Sequence, residues 1–216
     1  AITPGNAGGI ALENCSAVTI DQCHVLHCHA AESAISLTAV TGTLRHAVIA
    51  RNRAVWSTPG LQPNACDLVV DHVTIVGNRF TPDDMFGSDA ATALAAGACF
   101  VQGAVQLRNS ILRDNRVEDS AGQALPAVQA RVSMAPAATL AYINVTHGRQ
   151  GLDVGTPCPI GITDTDPLFA DPDHDDLHLR STCGRWSPAT GQWIADTASS
   201  PCIDAADPDA AFDHEP

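Results

Sequence analysis

The sequence predicts an all-β solenoid, a coil of short strands stacked in successive turns. Three observations predict it: five segments share one spacing of apolar residues, three of them continue to an asparagine at the same distance, and aromatic residues make up only 4% of the chain. Hydrophobic residues reach 45%, so the core must consist mainly of small and branched aliphatic side chains. Such side chains suit thin, repeated layers.

The five segments align on one apolar anchor each. The anchors are Ile20, Leu44, Val70, Leu107 and Leu140. Three residues further along the chain stand Cys23, Ala47, Val73, Ser110 and Ile143, and five residues further stand Val25, Ile49, Ile75, Leu112 and Val145. Period-two placement separated by a short bend points equal positions inward on every turn. The anchors are 24, 26, 37 and 33 residues apart, so loops of variable length join constant segments, as in solenoids.

A corner is predicted eight residues after each anchor. The corner residues are Cys28, Asn52, Asn78, Asn115 and Gly148. Asparagine and glycine both tolerate the left-handed backbone that a tight corner requires, and stacked asparagines can hydrogen-bond from turn to turn. We therefore predict a structural ladder of Asn52, Asn78 and Asn115.

With these columns and this ladder, the chain resembles the right-handed parallel β-helix repeat proteins of the secreted, pectate-lyase-like architecture, over about residues 8 to 150. The stretches "DPLFADPDHDDLHLRSTCGRW" and "SPCIDAADP" resemble the C-terminal tail of bacterial surface β-helix proteins of the choice-of-anchor type. Ala206 departs from that pattern, which usually has glycine there. The resemblance implies β-helix coils over 1–150, an acidic Asp/Pro-rich tail over 151–216 that packs on or caps them, and an excerpt of a longer bacterial surface protein.

Charge is distributed unevenly along the chain. The net charge is -13, and from Gly151 onward thirteen acidic residues face only two arginines. All 11 basic residues are arginine, which excludes lysine Schiff bases and P-loop chemistry. We expect no nucleic-acid binding, because no basic excess exists to release counterions. No apolar run is long enough to predict a transmembrane segment.

Eight cysteines in a chain of this size indicate an oxidising compartment, extracellular or at the cell surface. Cys183 and Cys202 bracket a turn-rich loop with two tryptophans, and we predict a disulfide between them. Closing that loop stabilises by about 3 kcal/mol in the loop-entropy model. Cys15, Cys66, Cys99 and Cys158 can pair in three ways, among which the sequence does not choose.

The stretch "CHVLHCHA" at residues 23 to 30 has the composition of a metal site. The predicted register places Cys23 inward, Cys28 at the corner, and His24, His27 and His29 outward or at the corner. Zinc ligands must converge, and the chain contains no CxxC pair, so we predict no metal site here.

A calcium loop is the one cofactor alternative. Asp171, Asp173 and Asp175 alternate as oxygen ligands do in such loops, but Asp176 replaces the expected glycine and Thr182 the expected glutamate. Asp-Pro steps explain much of this aspartate as turn formation. We therefore predict no cofactor and leave calcium as an alternative.

An arginine column follows the corner. Its members are His29, Arg53, Arg79, Arg116 and Arg149. Stacked in register they would lie about 4.8 Å apart and repel by about 1 kcal/mol per pair even in water. Either internal acids pair with them, namely Asp21, Asp71, Asp114 or the folded-back tail, or the column lines a groove for carboxylates or sulfates on an acidic polysaccharide.

Two functions follow from these patterns. The preferred hypothesis is a noncatalytic extracellular or cell-surface module that acts as scaffold, adhesin or glycan-contacting surface, with an acidic polysaccharide or neighbouring protein chains as partners. The alternative is a polysaccharide lyase or glycoside hydrolase acting along the arginine column. That chemistry needs paired carboxylates, or a base with a cation, in one cleft. The sequence singles out no catalytic residue.

Overall fold

The computed structural model describes residues 7–81, 97–119, 121–125, 128–132, 137–153 and 159–209. Over these residues the protein is all-β. Most strands pair in parallel within one long sheet that curls nearly into a closed shape, an architecture compatible with a β-helix. Two single turns of 3-10 helix occur in the described ranges, at Gly148–Gly151 and Pro172–His174.

The described strands are short, with two long exceptions. In chain order they are β1 (Ala7–Glu13), β2 (Val18–Asp21), β3 (His24–Leu26), β4 (His29–Ala30), β5 (Ser33–Thr38), β6 (Thr41–Arg45), β7 (Val48–Ala50), β8 (Arg53–Ala54), β9 (Leu61–Asp71), β10 (Thr74–Val76), β11 (Arg79–Phe80), β12 (Cys99–Arg113), β13 (Arg116–Glu118), β14 (Ala124–Leu125), β15 (Ala130–Val132), β16 (Thr139–Val145), β17 (Leu152–Asp153), β18 (Phe169–Asp171), β19 (Asp176–Leu179), β20 (Arg185–Ser187) and β21 (Gln192–Ile194).

Parallel pairing arranges the strands in four stacks. The first contains β1, β5, β15, β17 and the starts of β9 and β12. The second contains β2, β6, the end of β9, the middle of β12 and the start of β16. The third contains β3, β7 and β10 with the end of β12, and the fourth contains β4, β8, β11 and β13. The strand β9 is long because it passes from the first stack into the second without a break, and β12 is longer because it runs through the first three stacks.

The register agrees with the spacing of the sequence. Each of the five anchors pairs with the next, from Ile20 through to Leu140. The third apolar column, from Val25 to Val145, pairs in the same way. The predictions of an all-β fold and of parallel stacking are therefore confirmed.

The core lies inside the curled sheet and is aliphatic. Leu44, Ile49, Val70 and Ile75 have no solvent-accessible surface. They belong to one continuous cluster of mostly aliphatic side chains that runs along the stack. Phe80 is buried apart from it, against Val117. A core of small residues is the packing that the low aromatic content predicts.

The left-handed corner residue is not the asparagine itself. Positive φ occurs one position earlier in every repeat, at His27, Arg51, Gly77, Asp114 and His147. The prediction of left-handed asparagines is therefore wrong by one residue. The preceding residue turns the chain, and the asparagine that follows points its side chain inward, where Asn52, Asn78 and Asn115 are buried.

The segment after residue 158 packs on the outside of the sheet. Phe169, with Leu177 and Leu179, covers Ala50 and Val76 on the outer side of the third stack. Ile160 and Thr163 also form parallel bridges to β16, which adds a partial layer beyond the last repeat. Asn144, the asparagine of an Asn-Val-Thr sequon, is buried and donates to the Thr165 carbonyl at 2.8 Å.

The predicted disulfide between Cys183 and Cys202 is wrong. All seven cysteines in the described ranges are free thiols, while Cys158 lies outside the described residues. Cys183 is exposed at a turn, whereas the half-buried Cys202 faces Asn144, and burial raises the pKa of its thiol. The bracketed loop is closed instead by hydrogen bonds. Ser181 donates its backbone N–H to Asp196 at 2.9 Å, and Ser200 donates to the Arg180 carbonyl at 2.8 Å.

Candidate anion-binding edge

Four of the five residues in the arginine column form a straight row on the fourth stack. Register pairs His29 with Arg53, Arg53 with Arg79, and Arg79 with Arg116. All four are exposed, and parallel neighbours of this kind lie about 4.8 Å apart. These four residues are called the arginine edge.

Arg149 does not join the edge. It lies in the 3-10 turn Gly148–Gly151, and its Nη1 donates to the Leu152 carbonyl at 3.3 Å. The place of Gly148 in the corner ladder is taken by Gln129, which comes from a different part of the repeat. The chain therefore leaves the regular path at the last repeat, and the column in the sequence ends in the structure at Arg116.

A buried amide ladder holds the edge from inside. Asn52 donates from both its backbone nitrogen and its Nδ2 to Asn78 Oδ1, each at 2.9 Å. Asn78 repeats this arrangement with Asn115, at 3.0 and 2.8 Å. Gln129 Oε1 then accepts from Asn115. Since each asparagine directly precedes an arginine, the ladder fixes the backbone from which the guanidinium groups project.

Two of the three acids predicted as internal partners, Asp21 and Asp71, pair elsewhere. Asp21 accepts from Arg45 Nε at 3.0 Å, and Asp71 from Arg108 Nε at 3.1 Å. Along the second stack the order is Asp21, Arg45, Asp71 and Arg108. Acids and arginines therefore alternate, and these four charges neutralise one another. Asp114 lies in the corner, where its backbone N–H donates to Thr146 Oγ1.

The tail folds back beside the edge but binds the neighbouring column. Asp175 contacts Arg51 Nε at 3.1 Å and His27 Nε2 at 2.8 Å. Arg51 also donates to the carbonyls of Pro172 and Asp173. The acidic tail does fold back, as expected, but it pairs with Arg51 and His27, which directly precede the corner residues. Its described residues do not pair with the edge residues, which follow them.

The edge itself keeps most of its positive charge. Arg79 Nη1 lies 3.8 Å from Glu118 Oε1, near the limit of an ion pair, and the Arg79 side chain is 58% exposed. Within the described part of the chain, Arg53 and Arg116 form no ion pair. Exposed pairs such as that of Arg79 contribute little, so the guanidinium groups remain available to an external anion.

A groove of about 500 Å³ runs along this edge. All four edge residues line it, together with His27, Arg51 and two carboxylates, Asp114 and Asp173. Arginines and carboxylates therefore meet in one concave surface. The spacing in the sequence indicated the arginines of the edge. It did not indicate that Arg51 and Asp173 line the same groove, because their positions depend on the path of the tail across the sheet.

The calcium alternative receives no geometric support from the aspartates of the tail. Asp171 contacts His174 Nδ1 at 2.8 Å, and Asp175 is held by Arg51 and His27, so the two carboxylates do not converge. In the ranges that the structure describes, no group of three or more His, Cys, Asp or Glu side chains is arranged to hold a metal ion. Calcium binding stays an alternative that these contacts do not test.

Of the carboxylates in the second stack, Asp71 has the pKa that is shifted most strongly. Burial alone would raise its pKa, but hydrogen bonds from His72 and Asn109 and the charges of His72 and Arg108 lower the pKa to about 2. The low pKa means that folding favours the ionised form of this group.

We expect this linkage to appear as acid sensitivity. The folded-state pKa of about 2 lies below the ordinary value of 3.8, so the contribution is complete above about pH 4 and is lost as the pH falls toward 2. Its size is about 2 kcal/mol. Urea unfolding between pH 2 and 5 should show a shallower loss of stability for Asp71→Asn than for the unmodified chain. Asp67→Asn, at an exposed site, is the control, and equal slopes for all three proteins would contradict the assignment.

Comparison with known proteins adds one similarity. A family described as "Disaggregatase related" matches residues 104–206, just under half of the chain. The matched segment includes Arg116 of the edge, the amide Gln129 and most of the described tail. No curated protein and no solved structure matches the chain.

No helix in the described ranges is long and apolar enough to cross a membrane.

Proposed function

We propose that this chain is a noncatalytic, right-handed parallel β-helix module of an extracellular or cell-surface protein, and that it binds an acidic polysaccharide along the arginine edge. The observation that supports this proposal is the straight row of exposed arginines, in which Arg53 and Arg116 have no ion-pair partner among the described residues. A rigid stack with such an edge also suits an adhesin or scaffold. The tail acts as a lateral brace of the choice-of-anchor type.

The geometry favours a polymer of regularly spaced anions. Guanidinium groups bind carboxylate and sulfate oxygens in a planar, two-pronged manner, and a fixed row of them can engage several groups of one chain at once. Nucleic acid fits less well, because the net charge of -13 repels a long polyanion that extends beyond the edge. An acidic polysaccharide of lower charge density meets the row without this penalty.

Removal of the edge charges is expected to abolish this binding. The triple variant Arg53→Ala, Arg79→Ala and Arg116→Ala should bind polygalacturonate or dextran sulfate at least tenfold more weakly at low salt, and the unmodified chain should lose affinity as salt rises. Affinity electrophoresis in gels containing each polysaccharide measures both effects, with neutral dextran as the blank.

A matched control removes the same number of charges elsewhere. The triple variant Arg45→Ala, Arg108→Ala and Arg180→Ala should retain binding, because those side chains lie outside the edge. Equal retardation of the two triple variants would show that binding reflects overall charge and would refute the proposed edge.

A second candidate function is supported by the two carboxylates of the groove. Asp114 and Asp173 line the same concave surface as Arg79 and Arg116, which brings together the residue types that a glycoside hydrolase or a polysaccharide lyase uses. The same mixtures of protein and polygalacturonate can be assayed for new reducing ends and for unsaturated uronates. Product formed by the unmodified chain and lost in Asp114→Asn would establish this candidate. Intact polysaccharide after prolonged incubation would leave the noncatalytic function.

A further inference from the structure

The hairpin of β20 and β21 presents two tryptophans on one face. Trp186 and Trp193 are directly opposite each other in this antiparallel pair. Opposite residues of such a pair project from the same face, with Cβ atoms about 5 Å apart. Trp186 is 43% exposed and Trp193 is 74% exposed.

Packing does not account for this pair. The core of the described residues is aliphatic, and all three tryptophans of the protein lie at the surface, where Trp56 is 48% exposed. Exposed indole surface costs free energy in water, so two tryptophans on one face of a hairpin point to a binding role.

The hairpin is held firmly from beneath. Arg185, whose side chain is only 12% exposed, contacts Asp176 at 3.1 Å and Asp196 at 2.9 Å. Ser187 is buried on the same inward side. The strands therefore present the indoles from a braced support, which reduces the entropy that ordering would cost on binding.

The exposed area distinguishes between kinds of ligand. A tryptophan side chain offers up to about 250 Å², so the exposed parts of the two indoles together amount to roughly 300 Å². A stable protein interface needs about 800 Å² from each partner. The pair is therefore too small to hold a second copy of this chain by itself, but it matches one or two sugar rings.

We propose that Trp186 and Trp193 form a stacking platform for the pyranose rings of a neutral polysaccharide. The C–H groups on one face of a pyranose pack against an indole through dispersion and through the negative face of the ring. The hydroxyl groups around the sugar then reach water and the exposed polar residues of the hairpin turn, such as Thr190. The platform shares no residue with the arginine edge and goes beyond the function proposed for that edge.

Charge selects a neutral sugar over charged ligands. The thirteen acidic residues from Gly151 onward disfavour an anionic glycan at the platform. A cationic ligand would be held best by a carboxylate free to pair with it beside the rings, but Asp176 and Asp196, the two acids that brace the hairpin, are both engaged by Arg185. An uncharged ring face satisfies both conditions.

Affinity electrophoresis in gels containing glucomannan, xylan or hydroxyethylcellulose tests the platform. We expect at least one of these neutral polysaccharides to retard the full chain, with retardation unchanged in 1 M salt, roughly a 3 Å screening length. The double variant Trp186→Ala and Trp193→Ala should migrate as in an empty gel. Trp56→Ala is the matched control and should bind normally, because it removes an exposed tryptophan elsewhere.

The outcomes separate this site from the arginine edge. Loss of neutral-glycan binding in the tryptophan variant, with polygalacturonate binding intact, supports the platform. The triple variant of the edge should show the reverse. The platform is refuted if none of the three neutral polysaccharides retards the chain, if the tryptophan variant is still retarded, if the pair binds choline instead, or if the pair proves to mediate a dimer in sedimentation.

Discussion

Replacement of Asn78 by alanine is expected to lower the free energy of unfolding by about 4 kcal/mol. Asn78 has no solvent-accessible surface and sits in the middle of the ladder. Its Oδ1 accepts from the backbone N–H and the Nδ2 of Asn52, and its Nδ2 donates to the Ile49 carbonyl at 2.9 Å. Alanine leaves these buried groups without partners, and each unsatisfied group costs about 1 to 3 kcal/mol.

Denaturant titration followed by circular dichroism measures this effect. Asn64→Ala is the control, because Asn64 is an exposed asparagine whose side chain bonds to no described residue, and its stability should change by no more than about 0.5 kcal/mol. A change below about 1 kcal/mol for Asn78→Ala would mean that the ladder contributes little to folding.

Gly42→Ala should be at least as disruptive. The φ of Gly42 is +147°, in a region that side chains rarely adopt, and a Cβ there would lie 2.8 Å from the nitrogen and the carbonyl carbon of Val18 and closer still to its oxygen. These are backbone atoms of the neighbouring strand, so they cannot rotate away. We expect a loss of about 4 kcal/mol or more, because β2 must separate from β6 to admit the methyl group.

Gly191→Ala separates crowding from backbone strain. Gly191 also has a positive φ, +62°, but nothing lies within 4 Å of the added Cβ, so the cost should be only about 1 kcal/mol. Unfolding by urea compares the two variants. Amide exchange at Val18–Asp21 localises the damage, since only Gly42→Ala should expose those amides. Equal stability of the two variants would contradict the close approach of β2 and β6.

The regular part of this structure could be predicted because its determinants are local. Ile20, Leu44 and Val70 are spaced so that alternation along each strand turns them to one side, whatever the lengths of the loops between them. The same reasoning stacks Arg53, Arg79 and Arg116, because each follows a corner at the same distance. The left-handed position was misassigned by one residue, since a tight corner and a buried amide are adjacent in sequence and both suit asparagine.

The departures from regularity could not be predicted in this way. Arg149 has the correct spacing, but the chain leaves the stack there, and Gln129 takes the next place in the ladder although it lies 14 residues from Asn115. Cys183 and Cys202 are correctly spaced for a disulfide, yet Cys202 turns toward Asn144. In each case the decisive neighbour comes from a distant segment, and sequence spacing contains no information about it.

The sequence by itself determined the all-β class, the inward columns, the asparagine ladder and the row of arginines, because equal spacing along the strands assigns each residue to a place in the repeat. Only the tertiary structure decided which charges remain free. Asp175 reaches Arg51 across 124 positions and leaves Arg53 and Arg116 unpaired among the described residues. The path of a long tail depends on the sum of many weak contacts, such as Phe169 on Val76, and no local pattern encodes that sum.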